Sequence, residues 1–199
     1  MSAREFPIVA LVCSAGGLDA LTQVLTPLPA TLPAAVVALQ HLSPERPSEL
    51  AFFLNQHTAL PVSEAVDGEP LVTGRVLVAP PGQHLLIAGD ATVALIASGS
   101  IPPARPSADL LLTSLALSAG PRAIAVVLTG HGTDGAIGAA AVHRFGGVVI
   151  ASDRASSTHF AMPSATISRS AVTDHVVALD EVAELLARLV HGASPAESA

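Results

Sequence analysis

The chain contains no tryptophan, no tyrosine and no lysine, a single cysteine and five phenylalanines in 199 residues. Each shortage removes a class of function. All nine cations are arginines, set against sixteen carboxylates for a formal net charge of -7. With neither a basic stripe nor aromatic rings on which bases could stack, nucleic acid is not an expected partner. Cys13 is alone, so it cannot close an intrachain disulfide or build a zinc site by itself. Stability must therefore come from packing, and nothing argues for secretion. Gly, Pro, Ser, His or Asp breaks every apolar run before the ~18 residues that a membrane span needs, and "MSAREFP" lacks the basic lead-in of a signal peptide. The expectation is a cytoplasmic protein with no membrane insertion.

What is present is apolar residue in quantity, 50% of the chain, enough to bury the core of one α/β domain. That domain is expected over residues 1–190, with "HGASPAESA" (191–199) a frayed tail. Short β-branched runs alternate with Ala/Leu-rich helical stretches, the pattern of βαβ units wound into a parallel sheet. Strands are expected at Ile8–Val12, Ala35–Gln40, Arg75–Pro80, Ala123–Gly130 and Gly147–Ser152, nearly all apolar, as strands covered on both faces are. "HLLIA" and "ATVALI", flanking Gly89-Asp90, read instead as an antiparallel hairpin at the sheet edge. Helices are expected at Leu18–Leu25, Ser48–Asn55, Ser107–Ser118, Ala136–Phe145 and Leu179–Leu189, the third capped by Ser107 after Pro106. "ASGSIPPARPS" is the one long Pro/Ser-rich insertion.

In open α/β sheets, ligands bind beyond the carboxyl ends of the strands. The first strand ends at Ser14 and turns through Ala15-Gly16-Gly17 into a helix, the second delivers Gln40-His41, and the fourth opens "TGHGTDGAIG", which carries Asp134. A serine on such a turn can attack an acyl carbon if a base takes its proton. His41 is the candidate base and Asp134 the carboxylate that would hold its tautomer. The chain order Ser, His, Asp neither supports nor excludes a triad, which is defined by geometry. Plainer readings stand beside this one. Ser14 could simply cap a helix, and Gly16-Gly17 could mark a phosphate-binding turn, although G-x-G-x-x-G and the P-loop lysine are both absent. His41, His131 and Asp134 could also share a metal, without any ligand-spacing motif to support it.

The residues also resemble a specific family, the catalytic domain of the CheB protein-glutamate methylesterases of bacterial chemotaxis. "CSAGGLDAL" is similar to that family's Ser-x-Gly-Gly nucleophile turn, "LQHLSP" to its Gln-His segment and "VVLTGHGTDGAIG" to its Leu-Thr-Gly-x-Gly-x-Asp-Gly-Ala-x-Gly loop. "DGEPLVTGRVLVAPPGQHLLI", "RPSADLLL" and "HFAMPSATI" match in order as well. The resemblance implies a doubly wound, three-layer α/β sandwich that hydrolyses glutamyl methyl esters on chemoreceptor helices, releases methanol and often deamidates receptor glutamines. It implies Ser14 as nucleophile, His41 as general base and acid, and Asp134 as orienting carboxylate, with no metal or cofactor. Backbone amides at Ala15 and near His131 are the candidate oxyanion hole, and Arg105 a candidate contact to an acidic substrate surface.

The departures from the family pattern are local to this site. Ala15 stands where the family often has Thr, His131 where it often has Met, and Val12-Cys13 where it often has Gly-Ala. Family members also commonly carry an amino-terminal receiver domain, whereas this sequence opens on the catalytic strand. The expectation is therefore constitutive activity indifferent to small phosphodonors, open to control by a separate regulatory protein. Two other classes stay open: a catalytically silent binding module in a signalling array, and a small-molecule esterase on the same scaffold.

Overall fold

A computed structural model describes residues 6–97, 105–169 and 171–192. In chain order the elements are β1 (Ile8–Cys13), α1 (Gly17–Leu25), β2 (Ala35–Gln40), α2 (Leu50–Asn55), β3 (Val62–Glu64), β4 (Arg75–Val78), β5 (Gln83–Ile87) and β6 (Val93–Ala97). There follow α3 (Ala108–Ala119), β7 (Ala123–Val127), α4 (Ala136–Arg144), β8 (Val148–Ser152), α5 (Ala161–Ile167), β9 (His175–Val177) and α6 (Val182–Gly192). Seven strands form one sheet in the order β3-β4-β2-β1-β7-β8-β9, and every pairing in it is parallel.

The strand period of two sorts the core into two layers. Val9, Leu11 and Cys13 of β1 face a layer containing Leu21 and Val24 of α1, Leu54 of α2 and Leu186 of α6. Ile8, Ala10 and Val12 face the opposite layer, with Leu112 and Leu115 of α3 and Val142 of α4. Helices thus cover both faces of a sheet whose central strands β1, β2 and β7 are buried almost throughout, the doubly wound three-layer architecture that the sequence resemblance implies.

One expectation is corrected. The hairpin β5–β6 is antiparallel as read, but its strands pair only with each other as a separate two-stranded sheet. Leu85, Ile87 and Val93 sink into the layer built around α3, and the Ile87 amide donates to Ser114 Oγ of that helix at 3.0 Å. The main sheet is bounded instead by β3 and β9, three residues each, too short to carry a visible alternation. Helix α5 also escapes the sequence reading, since it is seven residues long and holds Pro163. Proline is tolerated there because the first-turn amides of a helix have no intrahelical partner. α2 begins at Leu50, with Ser48 Oγ accepting its amide at 3.2 Å, and α6 continues through His191 to Gly192. The loop residues 98–104 and the tail residues 193–199 lie outside the described residues.

The chain runs outward from β1 to β2 and then returns to β7 on the other side of β1. Such a reversal opens a crevice at the carboxyl ends of the strands, the usual ligand position in open α/β sheets.

Candidate active site

Register carries three loops to that crevice. Cys13 pairs with Gln40 at the end of the β1–β2 ladder, and the His41 amide donates to the Cys13 carbonyl at 3.1 Å. On the other side the Ser14 amide donates to Thr129 O at 2.9 Å. Ser14, His41 and the Asp134 loop therefore leave three adjacent strands at one level.

The turn after β1 explains its two glycines. Gly16 caps α1 at φ +75, a left-handed conformation that favours glycine, and no side chain bonds the helix start. Ser14 is thus not the helix cap. At Gly17 an added Cβ would lie 2.5 Å from Cys13 Sγ, so the helix can pack on β1 only without a side chain there. The Ser14 carbonyl accepts the Gly17 amide at 2.9 Å and Gln40 Nε2 at 3.4 Å. From the far side Thr129 Oγ1 donates to Ala15 O at 3.0 Å and accepts the His159 amide at 2.8 Å.

His41 Nε2 lies 2.9 Å from Asp134 Oδ2, with both side chains 14% exposed. This bond assigns the proton to Nε2 and leaves Nδ1 as the basic nitrogen. No hydrogen bond joins the Ser14 hydroxyl to His41, both described residues; catalytic hydrogen bonds often tighten only with substrate bound. The Asp134 carboxylate is held on four sides. Oδ2 also accepts the Ala108 amide at 2.7 Å, and Oδ1 accepts the Asp109 amide at 3.0 Å and the Ser107 hydroxyl at 3.2 Å. Burial raises its pKa, but the His41 bond, the α3 amides and the His41 charge outweigh burial and hold it below the ordinary value. An imidazole oriented by an ionised, half-buried carboxylate, near a serine on a strand-to-helix turn, is an arrangement able to support nucleophilic acyl transfer.

The sequence model of the CheB methylesterase family matches residues 9–186. The chain belongs to that family. The Thermotoga maritima CheB methylesterase catalytic domain superposes with a TM-score of 0.88 at 36% identity, covering 93% of this chain and 99% of that one. A protein-glutamate methylesterase/protein-glutamine glutaminase of Moorella thermoacetica is 41% identical over 190 residues, 94% of this chain and 45% of its own length. Protein-glutamate methylesterase FrzG of Myxococcus xanthus is 42% identical over 158 residues, 79% of this chain and 47% of its own length. The chain spans about half the length of these two curated relatives.

The remaining expected residues take definite places. The amides of Ala15 and His131 donate to no group among the described residues, and Gly130, between Thr129 and His131, packs so closely on Ser14 that an added Cβ would stand 2.8 Å from Ser14 Cβ. The His131 ring stacks on His159 with centroids 4.2 Å apart and planes tilted by 45°. Among the described residues no group of three or more His, Cys, Asp or Glu could hold a metal ion. Arg105 borders the site, its carbonyl accepting the Leu42 amide at 3.0 Å. Cys13 is fully buried with Sγ 3.5 Å from Leu39 O, and burial pushes its thiol far up, away from the thiolate.

Sequence reasoning missed Gln40, Ser107, Asp109 and His84 as members of this site. His84 of β5 accepts the Ser107 amide on Nδ1 at 3.0 Å. Its burial lowers its pKa against the pull of Asp134, with Arg105 adding to the decrease. The segments "RPSADLLL" and "GQHLLI" carry these residues, but only the tertiary contact gives them a role. Beside His41, a hollow of about 310 Å3 is lined by Leu18, Gln40, Leu42, Glu49, Leu50 and Phe53.

Proposed function

We propose that this chain is the catalytic domain, over residues 1–190, of a protein-glutamate methylesterase acting on chemoreceptors. The observation that carries the reading is the His41–Asp134 pair, bonded at 2.9 Å beside the Ser14 turn in a CheB-type fold. Ser14 Oγ attacks the glutamyl ester carbon while His41 Nδ1 takes its proton. The Ala15 and His131 amides receive the negative charge that develops on the carbonyl oxygen. His41 returns the proton to the departing methoxide, methanol leaves, and Ser14 carries a glutamyl ester. Water then attacks with His41 again as base, releasing the glutamate side chain and restoring Ser14. A receptor glutamine follows the same course with ammonia as the leaving group.

The chemistry calls for no cofactor. Its substrates would be the cytoplasmic helices of methyl-accepting receptors, with Arg105 meeting their acidic surface, and its place the cytoplasm. Among the described residues no helix is long and apolar enough to cross a membrane. A separate regulatory protein docking over the Ser14, His41 and Asp134 loops would control access. The intact hydrogen-bonded pair supports an enzyme over a silent binding module. The test is methanol release from methylated receptor membranes: turnover by the native chain and none by Ser14→Ala is expected, whereas no turnover on several receptors would refute the reading.

A further inference from the structure

Asp109 is a half-buried carboxylate that takes no part in the proposed reaction. It lies in the first turn of α3, yet its bonds go to another helix. Its Oδ1 accepts the amides of Gly135, Ile137 and Gly138 at 2.9, 2.9 and 2.8 Å. α4 needs such a partner, since its N-cap is Gly135 and no side chain of its own bonds the helix start. Asp134 makes the reciprocal contact, accepting the α3 amides of Ala108 and Asp109. Each carboxylate thus sits on the amino end of the helix that the other carboxylate's segment begins. The exchange depends on close approach, because a Cβ at Gly138 would stand 2.5 Å from Leu112 Cβ and 2.9 Å from Asp109 O.

Asp134 immediately precedes the cap of α4, so the placement of that helix's first turn sets where its carboxylate points. α3 does not need Asp109 for its own start, which Ser107 Oγ caps by accepting the Leu110 amide at 3.4 Å. We propose that Asp109 is a positioning residue for the hydrolysis: its Oδ1 clamps the first turn of α4 and so holds Asp134, and through it His41, in the reacting orientation. This inference rests on the methylesterase reading of the site.

The experiment uses the full chain with Asp109→Ala and Asp109→Asn. It measures kcat and KM for methanol release, the low-field proton resonance of the His41 Nε2–H (identified by its loss in His41→Ala), and thermal melting. Asp109→Ala leaves three amides without an acceptor and frees Asp134. We expect kcat to drop at least ~10-fold with KM within ~2-fold, and the resonance to be lost to exchange. Asp109→Asn keeps an oxygen in the place of Oδ1, so it should restore kcat to within ~3-fold of the native value and restore the resonance. A folded Asp109→Ala with native kcat and resonance overturns the inference. So does an Asp109→Asn no better than the alanine, since charge and not the acceptor oxygen would then be at work. If Asp109→Ala does not fold, Gly138→Ala displaces α4 from an unaltered Asp109; loss of kcat and resonance supports the clamp, and their retention overturns it. Absence of methanol release by the native chain refutes the methylesterase reading alone, and the resonance then decides the inference.

Discussion

At Asp134 two opposed effects meet in one side chain. Burial favours the neutral acid, while the His41 bond and two helix amides favour the anion more strongly, and the net pKa falls below the ordinary value. Asp134 therefore stays ionised throughout the range in which His41 must be neutral to act as base. The acid limb of kcat/KM should accordingly carry no step from Asp134, checked by a pH–rate profile. Ser14→Ala and His41→Ala should each abolish ester hydrolysis in a folded protein, and the double variant should be no worse than either, because the members of a triad act as a unit. Asp134→Asn should cost no more than Ser14→Ala, as it disturbs the tautomer and leaves the nucleophile. Cys13, buried and held as the thiol, should be dispensable for the chemistry. Cys13→Ala should keep substantial turnover, and complete loss in both Cys13→Ala and Cys13→Ser would transfer the nucleophile from Ser14 to Cys13.

Among the elements, α3 matters most to the site, since its amino end meets Asp134 and its body carries the β5–β6 hairpin. Ser107→Ala removes a helix cap and one donor to Asp134. It should lower stability by ~0.5–2 kcal/mol, measured by denaturant unfolding, and also reduce kcat because the hydroxyl bonds the carboxylate directly. Gly17→Ala tests the approach of α1 to β1. With Cys13 Sγ 2.5 Å from the added carbon, overpacking should cost ~1–3 kcal/mol, and Gly17→Ala combined with Cys13→Ala should recover part of that loss. The long buried strands β1, β2, β7 and β8 and the helices α1, α3 and α4 were legible because continuous apolar runs, helical periodicity and a serine cap are local signals. β3, β9 and α5 were not, because a three-residue strand or a seven-residue helix is selected by the neighbour it pairs or packs with.

At the scale of the whole molecule, the paired carboxylates tie stability to pH in opposite senses. Asp134 has a folded pKa below its unfolded one, so its contribution is complete above about pH 4 and is lost as pH falls through the folded value. Asp109 runs the other way: burial raises its pKa, and so does the Asp134 charge, against the lowering by its three amide bonds. Its contribution is greatest in acid and declines as pH rises through its titration. The stability difference between the native chain and Asp134→Asn should therefore hold its full value down to about pH 4 and shrink only on further acidification. A difference that stays constant on acidification would show that Asp134 does not titrate with folding.

By itself the sequence determined the class of fold and the three residue types beyond the strand ends, because β-branched runs, glycine turns and the polar residues after them are written in adjacent positions. Only the tertiary structure decided where the hairpin lies. Its alternation is equally compatible with the sheet edge and with α3, and the choice falls to the surface that buries Leu85, Ile87 and Val93. It alone decided that Ser14 is not a helix cap, since that depends on the left-handed backbone at Gly16. It alone also joined His41 to Asp134 and Asp109 to the start of α4. These partners are 93 residues apart in the first case and 26 to 29 in the second, and hydrogen bonds of that span exist only once strand order has brought the loops together.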